Sequence, residues 1–192
     1  LTAPAPPVTG LLLAAGSGRR FGQPKALVDS GSGPWVLRAV DALAGCDRIV
    51  VVIGAEADAV REILPPTVEV LVNPDHLTGM GSSLRAGLTA IGHTPAAAAV
   101  VMLVDLPDVG RAVVDRLLAH LDRTDPSRSL SRAAYQGRPG HPVLIGREHF
   151  DGVITGAVGD SGAREYLGAH GADLIECGDL GGGRDVDRPD QL

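Results

Sequence analysis

Leu11–Leu27 reads LLLAAGSGRRFGQPKAL. An apolar run with the character of a buried strand passes directly into a glycine-rich, basic loop that ends in lysine. Gly16, Gly18 and Gly22 let backbone N–H groups approach an anion with no Cβ in the way, and Arg19, Arg20 and Lys25 place positive charge around it. The stretch therefore reads as a phosphate-holding loop after a strand. It is not the P-loop G-x-x-x-x-G-K-[ST], because Lys25 follows Pro24 and precedes Ala26. It also departs from the dinucleotide fingerprint G-x-G-x-x-G. Phe21 stands in the place of the third glycine, and no acidic residue follows about 20 positions on at the end of a second strand.

Outward from this loop, short β-branched runs alternate with stretches of helical period. Strands are expected at Val8–Leu13, Arg48–Ile53, Val68–Val72 and Ala97–Val104, and helices at Pro34–Ala44, Ala55–Leu64, Ser82–Ile91 and Arg111–Leu121. Such alternation implies an α/β fold, a doubly wound and mostly parallel sheet with helices on both faces. Ligands of such sheets bind at the carboxyl ends of the strands, so the loops after the first and fourth strands should share one site. After Arg123 the pattern changes. Ala133–Gln136 and His141–Ile145 read as strands around a turn at Gly137–Gly140, a small β-hairpin insertion walling the cleft. A helix from Asp160, capped by Asp160 or Ser161, and a strand at Asp173–Cys177 follow. The expected organisation is a disordered leader at 1–7, where three prolines occur, and one domain at 8–192. Within it, 8–124 would hold the nucleotide, and 125–192 would supply the acceptor side and a metal-binding tail.

Asp105 directly follows the fourth strand, and Pro107 stops its continuation, which puts a carboxylate at the crevice mouth opposite the glycine loop. A hard divalent cation is usually held by one or two carboxylates together with substrate phosphates. The tail offers a partner in Asp185-Val186-Asp187, whose acidic residues alternate along an extended segment. Asp105 also fits as the N-cap of the next helix.

Composition limits the alternatives. The chain has 192 residues, enough to bury a core; hydrophobic residues make up 44% but aromatics only 3%, so Val, Leu, Ile and Ala must fill it. The net charge of −6 argues against a nucleic-acid partner, which would call for a basic stripe. Cys46 and Cys177 lack metal-ligand spacing and fit a reducing compartment. The apolar stretch at 10–15 is too short for a signal peptide, and no Lys or Arg precedes Arg19. Nothing approaches the length of a membrane span. The expected location is the cytoplasm. The six histidines have no zinc-like spacing. Gly159-Asp160-Ser161-Gly162 copies a serine-protease loop, but an α/β chain does not carry that machinery.

Leu13–Lys25 is similar to the nucleotidyltransferase signature L-A-A-G-x-G-x-R-[MF]-G-x-P-K. Further segments extend the likeness in order: Gly79-Met80-Gly81-Ser82-Ser83-Leu84-Arg85-Ala86-Gly87-Leu88, Val104-Asp105-Leu106-Pro107, Gly137-Arg138-Pro139-Gly140-His141-Pro142-Val143 and Gly159-Asp160-Ser161-Gly162-Ala163-Arg164. Asp185–Leu192 resembles the tail D-[IV]-D-T-P-E-D-L. From Leu11 to Leu192 the chain thus resembles the molybdenum cofactor nucleotidyltransferase family, the MobA-like NTP transferases, and within it the cytidylyltransferase branch. It departs from that pattern at Leu106, where the family often has Gln, and at Arg188, where Thr is usual.

The resemblance implies Mg²⁺- or Mn²⁺-dependent transfer of CMP from CTP to the phosphate of molybdopterin, with release of pyrophosphate. It assigns Lys25 to the α-phosphate, Arg19 and the Gly16-Ser17-Gly18 backbone to the β- and γ-phosphates, and Asp105 with Asp187, or else Asp185, to the metal. The backbone of Leu13, Ala14, Ala15 and Gly16, together with Asn73, Ser82 and Ser83, would face the base and ribose, although Asn73 equally suits a plain turn before Pro74. Arg85 and His141 would serve the acceptor side; a surface ion pair and a structural histidine are the respective alternatives. A molybdenum hydroxylase would receive the product. Guanylyl transfer, another phosphorylated acceptor, reduction of a pterin- or dye-like heterocycle and non-catalytic nucleotide binding are the competing readings.

Overall fold

The computed structural model describes residues 6–122 and 124–191. Most of the expected leader, residues 1–5, lies outside them. The carbonyl of Pro7 already accepts a hydrogen bond from Ala97 N at 2.8 Å. Seven strands form one sheet: β1 Val8–Ala14, β2 Arg48–Ile53, β3 Glu69–Val72, β4 Ala98–Leu103, β5 Leu130–Tyr135, β6 Arg138–Gly146 and β7 Asp173–Glu176. Their order is β3-β2-β1-β4-β6-β5-β7. β1 pairs in parallel with β2 and β4, and β2 with β3; β6 alone runs against its neighbours β4 and β5, while β7 is parallel to β5.

β1 is an interior strand, with Leu12 opposite Val51 on one side and Met102 on the other. Its seven residues are all buried. Consecutive side chains point to opposite faces, so an unbroken apolar run is required where helices cover both. Leu12, Ala14, Val51, Ile53, Val100 and Met102 pack on one face against α1 (Trp35–Ala42) and α4 (Arg111–Ala119), with Val60 of α2 (Ala57–Ile63) beside them. Leu11, Leu13, Val50, Val52, Ala99 and Val101 pack on the other against α3 (Met80–Gly92), α5 (Phe150–Gly156) and α6 (Arg164–Ala169).

The expected hairpin is β5 and β6, and it is continuous with the main sheet: Val143 of β6 lies opposite Val101 of β4. Its turn is shorter than the one read at Gly137–Gly140. Gln136 and Gly137 make it alone, both at positive φ (55° and 75°), the geometry whose twist matches that of the flanking strands. The helix expected from Asp160 begins later, at Arg164. Asp160 Oδ1 instead accepts from Met80 N at 3.3 Å, at the first residue of α3. Ser161 Oγ donates to Val158 O. Neither residue caps its own helix. Among the described residues, no helix is long and apolar enough to cross a membrane.

Candidate active site

The strand order changes direction between β1 and β4, and their carboxyl ends are tied by Val104 N donating to Leu13 O at 3.2 Å. The loop after β1 and the residues after β4 therefore face one crevice, as expected at a topological switch point. The loop is held open by its own backbone: Phe21 N and Gly22 N both donate to Gly18 O, at 2.8 and 2.9 Å. Gly18 has φ +60°. Phe21 is buried edge-on against Trp35, with ring centroids 5.5 Å apart. Phe21 thus anchors the loop to α1 and leaves Gly16, Arg19 and Arg20 exposed.

Lys25 stands at the centre of the crevice. Its Nζ donates to Asp105 Oδ2 at 2.8 Å and to Asp187 Oδ1 at 2.6 Å. Partial burial works against the charge on Lys25, but the hydrogen bonds and charges of the two carboxylates outweigh it and hold its pKa above the ordinary lysine value. The same hydrogen bond, opposed by some desolvation and aided by Lys25, Arg20 and Arg188, holds the Asp187 carboxyl below the ordinary range. Asp187 is brought there by Val186, whose side chain is buried and whose N–H donates to Asp105 O at 3.0 Å. Asp185, on the other side of Val186, is exposed and forms no ion pair with Lys25, which takes Asp187 instead. Asp105 is not a helix cap, because α4 starts at Arg111 with Gly110 ahead of it.

Asp105 Oδ1 is buried and has no hydrogen-bond partner among the described residues. A buried carboxylate oxygen without a donor is costly unless something binds it. With Asp187 alongside, it offers the one or two carboxylates that a small hard cation takes from a protein when phosphate oxygens complete its shell. Among the described residues, no three His, Cys, Asp or Glu side chains form a cluster able to hold a metal by themselves. A cation here would thus depend on substrate phosphates.

Two cavities meet at this point. The first, of about 510 Å³, is lined by Leu13, Ala15, Gly16–Arg20, Lys25 and Ser83 among others, and also by His76, Met80 and Asp160, which sequence reading did not assign. Ala14 is not among the lining residues, and its side chain packs on the opposite face of the sheet, so only its backbone is left to face this side. Asn73 and Ser82 are also outside the lining. Asn73 is buried, its Nδ2 donating to Ser82 Oγ and Ser83 Oγ at 2.8 and 3.0 Å, and its Oδ1 accepts from Asp75 N. Asn73 therefore sets the turn and fixes the two serines, and Ser83 alone of the three reaches the cavity. The signal for His76 was its place three residues after Asn73, whose carbonyl meets His76 Nδ1 at 3.1 Å.

The second cavity, of about 520 Å³, shares Met80, Leu103, Asp105, Asp160 and Asp187 with the first and adds His141, Arg132 and Arg164. Arg85 lines neither cavity: its guanidinium donates to Ala157 O, tying α3 to the end of α5. His141 does reach the second cavity. Burial first, and the charges of Arg132 and Arg164 next, push its pKa down from 6.5 to about 4.

That depression has a sign for stability. Between about pH 6.5 and 4 the unfolded chain binds a proton at this position and the folded chain does not, so stability is full above the upper value and falls as pH drops. The loss below about pH 4 is about 3 kcal/mol, less whatever Asp160 and Asp185 on the same cavity walls offset. His141→Gln is expected to flatten the urea-unfolding midpoint between pH 6.5 and 4 relative to the wild type. Parallel profiles would show that His141 is not held neutral in the folded state.

The sheet order and the glycine loop on its interior strand β1 define a Rossmann-like nucleotidyltransferase fold. The chain belongs to the MobA-like NTP transferase family, whose domain matches residues 10–174. It is 40% identical to the nicotine blue oxidoreductase of Paenarthrobacter nicotinovorans, over 97% of this chain and 95% of that protein. It is 34% identical to a probable molybdenum cofactor guanylyltransferase of Rhodopirellula baltica, over 64% of this chain and 59% of that one. Among solved structures it is similar to Rv0371c of Mycobacterium tuberculosis H37Rv, at 28% identity and TM-score 0.80 over 97% of this chain and 95% of that. A complex of Rv0371c with manganese matches at 27% identity and TM-score 0.71, over 89% and 87% of the two chains.

Proposed function

We propose that this protein transfers CMP from CTP to the phosphate of molybdopterin. A phosphate oxygen of the acceptor bonds to the α-phosphorus, the bond from that phosphorus to the β-bridging oxygen breaks, and pyrophosphate leaves with the electron pair. Such a displacement needs no protein nucleophile; it needs alignment and neutralised charge. The observation that carries the reading is Lys25 suspended between Asp105 and Asp187 at the meeting point of the two cavities.

In this reading Lys25 turns to the α-phosphate, while Arg19 and the backbone of Gly16, Ser17 and Gly18 take the β- and γ-phosphates. Leu13, Ala15 and Ser83 border the nucleoside. Asp105 and Asp187 hold Mg²⁺ or Mn²⁺. When bound, that cation neutralises charge on the phosphates. The manganese complex of Rv0371c supports use of a divalent metal by a related protein. Residues 8–124 then carry the nucleotide, and 125–192 the acceptor side and the second metal ligand. The product would pass to a molybdenum hydroxylase in the cytoplasm.

Leu13-Ala14-Ala15-Gly16 and the Gly137–Val143 segment favour CTP, whereas the similarity to the Rhodopirellula protein favours GTP. The test is pyrophosphate release by purified protein with Mg²⁺, molybdenum cofactor, and CTP, GTP or ATP in parallel. Release with CTP alone, lost in Lys25→Ala, is the expected result; release with GTP alone moves the nucleotide assignment, and no release with any of them overturns the reading.

A second reading, reduction of a dye-like heterocycle, is favoured by the near full-length similarity to nicotine blue oxidoreductase. The absence of the dinucleotide fingerprint in Gly16–Phe21 counts against it. Steady oxidation of NADH or NADPH with such a dye, untouched by Asp105→Asn, would put this reading first.

A further inference from the structure

The second cavity is lined by two guanidinium groups, of Arg132 and Arg164, that form no ion pair among the described residues. Arg132 projects from β5 and is half-buried; its Nε and Nη2 donate to Gly140 O at 3.1 and 3.0 Å. These bonds fix the plane of the group and leave the other N–H groups of the fork without a partner among the described residues. Arg164 is exposed, and its guanidinium makes no hydrogen bond or ion pair among the described residues; its backbone N–H donates to Ser161 O at 3.2 Å. Burial, and then the charge of Arg164, lower the pKa of Arg132, and both arginines act on His141.

The cavity also contains carboxylates, but each is engaged elsewhere or too distant to form an ion pair. Asp105 and Asp187 share Lys25, Asp160 meets Met80 N, and Asp185 makes no ion pair among the described residues. Keeping the half-buried charge of Arg132 on one cavity wall with a second guanidinium is unfavourable unless an anion joins them. A guanidinium fork matches a phosphate through paired N–H···O bonds better than an ammonium does.

We propose that Arg132 and Arg164 form an anion subsite that takes a phosphate group of the acceptor, apart from the glycine loop that takes the nucleotide's phosphates. This rests on the nucleotidyl-transfer reading, in which the acceptor is a phosphate ester. The pair lines only the second cavity and the loop only the first, and the cavities join at Asp105, Asp160 and Asp187. An acceptor phosphate held by the pair would therefore approach the nucleotide from the side opposite the leaving pyrophosphate, with neutral His141 adding no third charge.

The test uses inorganic phosphate as the probe, titrated calorimetrically into the full-length protein with Mg²⁺ and a saturating non-hydrolysable CTP analogue filling the glycine loop. Wild type should bind phosphate, and R132Q/R164Q should bind it at least 10-fold more weakly with an unchanged affinity for the nucleotide analogue. R164Q alone guards against a folding defect, because the Arg164 side chain is exposed and bonds nothing among the described residues, and the substitution leaves its backbone bond to Ser161 O in place; it should lose several-fold. Equal phosphate affinity in wild type and the double variant, or no phosphate binding by wild type, overturns the proposal. Failure of the nucleotide analogue to bind counts against nucleotidyl transfer only. The difference between wild type and R132Q/R164Q then still reports on the pair, since the glycine loop is the same in both.

Discussion

Asp105→Asn is expected to reduce nucleotidyl transfer by about 10²–10³-fold, the range associated with losing one preorganised electrostatic contact to a developing charge. The substitution keeps the shape of the side chain and removes its charge. It also replaces one of the two carboxylate oxygens with an amide NH₂ group, at a site where Oδ2 receives Lys25 and Oδ1 is buried without a donor among the described residues. Lys25 keeps its bond to Asp187, so the loop has no reason to leave its place. Pyrophosphate release at saturating CTP and Mg²⁺, read beside thermal unfolding, checks this. A variant that unfolds with the wild type and retains a third of its rate would remove Asp105 from the chemistry.

Gly18→Ala should weaken nucleotide binding by about 100-fold or more while leaving the sheet folded. A Cβ at this position would lie 1.8 Å from Gln23 O and 2.7 Å from Gln23 C, both backbone atoms. The residue also sits at φ +60°, where a side chain adds strain of about 1 kcal/mol or more. The chain must reroute between Gly18 and Gln23, which moves the N–H groups of the loop and carries Lys25 with them. The loop is largely exposed, so the core is spared. Calorimetric titration with CTP and Mg²⁺ against circular dichroism separates the two effects. Wild-type affinity in a folded variant would show that the loop conformation does not matter for the nucleotide.

The strands around β1 were legible because burial on both faces leaves no polar position, and such runs as RIVVVI and AAVVML have few other uses in a chain of this length. The meeting of Gly16–Lys25 and Asp105 at one crevice was legible for a related reason: glycine, arginine and a carboxylate at strand ends have little packing value there. α5 was missed because FDGVITG has two glycines and shows its buried face only through Phe150 and Val153. β5 was read too short because it opens LSR, with Ser131 buried among apolar neighbours. Arg85 and Asn73 show the limit of motif reading. Arg85 lies in a segment similar to the family's and Asn73 is assigned by analogy with it, but their polar atoms are used on Ala157 and on the two serines, and only tertiary placement reveals that. Arg132 was invisible for the opposite reason, since it belongs to no quoted motif and becomes notable only beside Arg164.

Lys25 and Asp187 touch across 162 positions of sequence, and Asp187 follows β7 by 11 residues. The second carboxylate is therefore delivered by a segment that belongs to no strand of the sheet. Without that segment Lys25 answers to Asp105 alone. A fragment ending before Asp185 would retain the sequence of all seven strands and lack the paired charge, so the elements that build the architecture are separable from the one that completes the phosphate site.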